Sequence, residues 1–191
     1  ANTDTHGIVG QEPGYPRTLV RARDGDLAGW DAGRTSEVVT QLRAGRDVVL
    51  TNGPFLRVTV EGKSPGEVAR VPASRVVAVK VHVEAPAWVD VRTVSLRSAR
   101  VDAGPSVDLR TARDAAGKLA FRCDAAGRCR GDVTLRLRVE ADDAVAVFAT
   151  GERELREVMD GEGPELRPFA MTSAVFLDAD GDDRALGVRA R

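Results

Sequence analysis

The chain has 191 residues, 42% hydrophobic and 30% charged, with a net charge of -1 at pH 7. This is long enough to bury a substantial core and too apolar for a disordered segment. Acidic and basic residues are interspersed along the chain, which argues against a nucleic-acid partner, and no apolar run is long enough to span a membrane as a helix.

In chain order, the first feature with chemical content is Ala1-Asn2-Thr3-Asp4-Thr5-His6. Asp4 and His6 are two residues apart, so in an extended segment their side chains project to the same side. A carboxylate and an imidazole in that arrangement suit Zn, Mn or Fe, which accept mixed oxygen and nitrogen ligands. A closed metal site needs about four ligands and a catalytic one about three plus water, so the pair by itself is an incomplete set. The plainer account is that both are ordinary polar residues at a chain end. Residues 1–34 are otherwise rich in glycine and proline and predict loop with one short strand at Arg17–Arg21. Arg17 is the candidate substrate-binding residue, because a guanidinium can clamp a phosphate oxygen with two hydrogen bonds, although a surface arginine explains it more simply.

Thr35 or Ser36 caps a predicted helix that places Val38, Val39 and Leu42 on one face and stops at Gly45. Val48–Leu50 starts a buried strand, and Asn52-Gly53-Pro54 interrupts the pattern. From Phe55 the apolar period becomes two. Predicted strands follow at Phe55–Glu61, Val77–Val83, Thr93–Leu96, Leu119–Arg122, Asp132–Glu140, Ala144–Thr150 and Met171–Leu177, with a short helix at Glu152–Met159. His82 falls on the wet face of its strand beside Lys80 and Glu84, as a solvated histidine. Trp88 reads as a core or rim anchor. Arg136 and Arg138 face outward, as edge-strand charges that discourage aggregation.

Cys123 and Cys129 flank a five-residue turn. A disulfide stapling a hairpin and a pair of free thiols are both open, and metal binding fits the spacing least well. A paired reading suits an oxidising compartment and so an extracytoplasmic (periplasmic or secreted) location. Asp178, Asp180 and Asp182 alternate around Gly181 like the start of a calcium loop, but no glutamate follows to complete an EF-hand, so an acidic turn is the simpler account.

Taken together, Asp4-Thr5-His6, Gly14-Tyr15-Pro16-Arg17, the helix ending in Ala44-Gly45-Arg46 and the run Thr51-Asn52-Gly53-Pro54 resemble the C-terminal part of PHP-type (polymerase and histidinol phosphatase) metallohydrolases of the CehA/McbA-like branch. That resemblance implies a D-x-H element closing a multinuclear metal site, whose other His, Asp and Glu ligands would lie upstream of Ala1. It implies a mainly β chain: an immunoglobulin-like β-sandwich at 51–191, preceded at 1–50 by the loop, helix and strand that finish a PHP α/β barrel. The expected function is the C-terminal portion of a metal-dependent, phosphoesterase-like hydrolase acting on a small-molecule ester. Its partner would be the missing N-terminal catalytic part, and the isolated chain would be inactive. The alternative is a non-catalytic β-sandwich module that binds a partner protein or a glycan.

Overall fold

The computed structural model describes residues 16–21, 32–101, 104–155 and 166–189. Asp4 and His6 lie outside them. The chain begins with β1 (Arg17–Leu19), α1 (Ala32–Ala44), β2 (Val49–Thr51) and β3 (Phe55–Val60). Then come β4 (Val68–Arg70), β5 (Arg75–Pro86), β6 (Thr93–Ser98), β7 (Ser106–Asp108) and β8 (Phe121–Cys123). The second half supplies β9 (Arg128–Val139), β10 (Asp143–Thr150), β11 (Phe169–Thr172), β12 (Val175–Asp178) and the small pair β13 (Arg184–Ala185) and β14 (Val188–Arg189).

The expected β-sandwich is present. One layer is a four-stranded sheet in the order β3-β5-β9-β8, and the other is an eight-stranded sheet centred on β10. The two long strands β5 and β9 pair antiparallel from Arg75↔Val139 to Pro86↔Arg128. Their alternation decides which face is buried. Val77, Val79, Val81 and Val83 point inward with Val133, Leu135, Leu137 and Val139, and the residues between them face solvent. Opposite them, Val94, Leu96, Val145, Val147, Val175 and Leu177 line the inner face of the larger sheet. With so few aromatic residues, the core is built from branched aliphatic side chains, which fill a pleated surface well. Trp88 is partly buried and packs against this core.

The larger sheet forks. On one side β10 pairs with β6, which carries β7. On the other side it pairs with β12 at its start and β11 at its end. The single strand expected over Met171–Leu177 is therefore two strands, broken at Ser173-Ala174. These two residues leave the ladder to hold the end of α1. The Ser173 hydroxyl donates to the Gly45 carbonyl at 2.5 Å, and the Ala174 carbonyl accepts from Gly66 N at 2.7 Å. At the break, the Thr172 hydroxyl accepts the Val147 N–H at 3.1 Å, so no ladder donor is stranded.

Helix α1 starts at Ala32, ahead of the cap expected at Thr35 or Ser36. It ends as the sequence implies. Gly45 has φ +61°, Arg46 N donates to the Gln41 carbonyl and Gly45 N to the Leu42 carbonyl, which together make a Schellman cap. Gly66 lets this end approach closely: a Cβ there would sit 2.7 Å from the Gly45 carbonyl oxygen, and its φ is +84°.

β2 pairs with β11 through Thr51↔Ala170 and Val49↔Thr172, and β1 pairs with β2. Strand β2 therefore runs across residues 50 and 51 and joins both to the edge of β11, whose backbone groups it pairs. The helix expected at Glu152–Met159 is absent over its described part, residues 152–155, and residues 156–159 lie outside the described ones. The backbone of residues 152–155 turns around Asp90, whose Oδ2 accepts from Glu152 N and Arg153 N at 3.0 and 3.1 Å.

Candidate functional site

Arg17 opens β1 opposite Thr51, half-buried on the outermost strand of the larger sheet. A cavity of about 310 Å³ lies at this edge between the two sheets, lined by Leu19, Arg21, Asp47, Leu56 and Thr172. Arg21 and Asp47 pair there at 3.3 Å. The D-x-H motif, residues 4–6, lies outside the described residues.

Among the described residues, one group of three potential metal ligands converges: Asp142, Asp178 and Asp180, with ligand atoms within 4.8 Å of one another. Two of its members come from the turn after β12 and the third from the segment before β10. Asp178 ends β12 and is 1% exposed, and its Oδ1 and Oδ2 accept Gly181 N at 2.7 Å and Asp183 N at 3.0 Å. Asp180 accepts the Asp182 N–H at 3.1 Å, and Asp182 in turn accepts that of Arg184 at 2.8 Å. Asp142, just before β10, accepts Ala179 N at 2.9 Å, tying the turn to the central strand. Arg70 closes the arrangement with two contacts to Asp183, at 2.9 and 2.6 Å. An all-carboxylate set is chemically matched to a hard cation such as calcium or magnesium, not to the mixed-ligand metals that suit Asp4 and His6. In the structure these oxygens fasten the turn. Of the alternating acids noted in the sequence, Asp178 and Asp180 meet at this point. Asp182 is absent from the trio, and Asp142 joins from 36 residues earlier than Asp178 (178 − 142 = 36), a separation that no local pattern reveals.

His82 also has two acidic neighbours, Asp132 Oδ1 at 2.9 Å from Nδ1 and Glu84 Oε1 at 2.8 Å from Nε2. Partial burial pulls its pKa down, but hydrogen bonds and charge from the two carboxylates outweigh this and raise it above the ordinary value. Each ring nitrogen faces its own carboxylate, so the group is a surface hydrogen-bonded cluster with no shared coordination point. Cys123 and Cys129 are bonded to each other, as an opposed pair across β8 and β9 with Cα atoms 3.8 Å apart. They are therefore neither thiols nor metal ligands in this structure.

The motif that the sequence marks as an interruption is a clamp. Asn52 is 6% exposed. Its Nδ2 donates to the Arg167 carbonyl at 2.8 Å, its Oδ1 accepts Phe169 N at 2.6 Å, and its own N donates to the Phe169 carbonyl at 3.0 Å. The side chain thereby extends the β2–β11 ladder past the end of β2. Thr51 supports it, with its hydroxyl accepting Gly53 N at 2.9 Å and donating to the Pro54 carbonyl. Neither a protein-family model nor a curated protein sequence matches the chain.

Proposed function

We propose that this chain is the C-terminal portion of a metal-dependent, phosphoesterase-like hydrolase. In this reading Asp4 and His6 are the last ligands of a Zn, Mn or Fe centre whose other ligands lie upstream. The sandwich packs beside the catalytic barrel and shapes access for a small ester. The observation that carries the reading is the surface of α1. Val39 and Leu42 are 39% and 44% exposed on the helix that the PHP resemblance assigns to the barrel. This apolar pair on one helix face supports the reading, since a further layer packed there would take it out of water. Metal ions in such a centre would activate water and polarise the scissile group. By itself the pair Asp4 and His6 is too few ligands, so the isolated chain is inactive.

The test compares two polypeptides, this chain and one extended upstream through the remaining ligands, in a phosphodiester and phosphomonoester assay with added manganese or zinc. The reading expects turnover only from the longer one, lost together with bound metal in His6→Ala. Metal-dependent turnover by the 191-residue chain that His6→Ala leaves intact would refute it.

A second reading, a non-catalytic binding module, is favoured by the state of His82. Both its nitrogens are engaged by carboxylates on an open sheet face, and the other described residues offer no histidine to serve a serine or cysteine nucleophile. It differs from the first in expecting no metal-dependent turnover from the extended polypeptide either.

A further inference from the structure

The outer face of the four-stranded sheet collects cations that are scattered along the sequence. Strand register sets Glu84, Arg130 and Arg122 in one row, then Arg57, His82 and Asp132, then Lys80 beside Thr134. Arg136 and Arg138 follow opposite Ala78 and Val76. Rows are about 7 Å apart and strands about 5 Å apart, so the cations form a stripe about 27 Å long. Arg57, Lys80, Arg130 and Arg136 have no carboxylate in ion-pairing range among the described residues, whereas Arg21, Arg70, Arg75, Arg92 and Arg110 elsewhere each have at least one. The acids of these rows, Glu84 and Asp132, are both engaged by His82.

Protection of an open edge explains part of this pattern. β8 covers only residues 129–131 of β9, and Arg136 and Arg138 lie beyond it. It does not explain Lys80, which is paired on both sides with Thr59 and Thr134, or Arg130, which is paired with Glu84 and Arg122. Arg130 also stands directly opposite Arg122, whose own charge is paired with Asp114 at 3.1 Å. Because the whole chain carries a net charge of -1, this face polarises the molecule.

We infer that the outer face of β3, β5, β9 and β8 docks on an anionic bilayer surface, with Arg57, Lys80, Arg130 and Arg136 meeting lipid phosphates. A fluid layer of headgroups suits the pattern better than a polymer of fixed pitch. Glu84 sits beside Arg130 in its row and Asp132 interrupts the stripe between Arg130 and Arg136, and laterally mobile lipids avoid these acids while a rigid polyanion laid along the strands must cross them. Val76, 49% exposed beside Arg138, adds a shallow apolar contact. This is peripheral binding through charge, consistent with the lack of any membrane-spanning helix among the described residues.

The experiment is vesicle flotation with the full chain, using neutral phosphatidylcholine vesicles and vesicles containing phosphatidylglycerol. Binding is expected only to the latter, and is expected to fall as salt is raised. Arg130→Ala and Arg136→Ala should each weaken it about fivefold and the double variant about 25-fold, while Arg184→Ala, away from the face, changes nothing. Circular dichroism and melting of each variant separate lost binding from lost folding, and these exposed positions are expected to keep the native melt. Absence of binding to phosphatidylglycerol, or binding that the double variant retains, would overturn the inference. So would tighter binding of heparin or an oligonucleotide at the same ionic strength, which would assign the face to a linear polyanion.

Discussion

Asn52 offers the sharpest test of how this fold is held at its edge. Asn52→Ala removes the acceptor for Phe169 N and the donor for the Arg167 carbonyl, at 2.6 and 2.8 Å. Arg167 is exposed and its carbonyl finds water, but Phe169 is half-buried and its N–H is left under β2 without a partner. A net loss of about 1 kcal/mol per hydrogen bond, plus the penalty of one poorly solvated donor, gives about 2–3 kcal/mol. For a chain of this size that is a fall in melting midpoint of roughly 5–10 °C. Differential scanning calorimetry measures the fall, and hydrogen exchange at the Phe169 amide localises it, since that amide should exchange faster while those of β5 and β9 are unchanged in the native state. A midpoint shift below about 2 °C, or an unchanged Phe169 amide, would show that the clamp contributes no more than an ordinary surface contact.

Three further outcomes follow from the same structure. Truncation to Pro54–Arg191 removes β2 and exposes the β11 ladder, so the fragment should melt less cooperatively and self-associate, as seen by calorimetry and light scattering. A fragment with the native midpoint would mean that the sandwich is complete without β2. Asp178→Asn leaves one acceptor where the N–H groups of Gly181 and Asp183 converge on a buried carboxylate and should cost about 2 kcal/mol in urea unfolding. A calcium-dependent rise in stability that this variant abolishes would instead show that the acidic trio binds a cation. For His82 the folded pKa is raised, so its contribution is fully present below its unfolded value near 6.5 and is lost as pH rises through the folded value. The native protein should therefore lose a small increment of stability between mildly acidic and mildly alkaline pH that His82→Gln lacks. An NMR titration placing His82 below 6.5 would contradict the two-carboxylate account.

The alternation of valines with polar residues determined the sandwich and the buried faces of β5 and β9, because one face of a pleated strand must leave water. Gly45 likewise marked the end of α1, since only a left-handed residue there satisfies the last carbonyls of the helix. These are local effects, set by neighbours within a few residues. What only the tertiary structure decided are pairings between distant segments. Asn52-Gly53-Pro54 reads as a break in the sequence, yet its asparagine completes a ladder with residues 167–169. Asp142 reads as one acid among many, yet it meets Asp178 and Asp180 because β10 and β12 pair. The cations of β3, β5, β8 and β9 look evenly mixed with acids along the chain, and strand register alone gathers them on one face. Backbone hydrogen bonding is indifferent to sequence separation, so a period of two shows which side of a strand is wet but not which other strand will lie beside it.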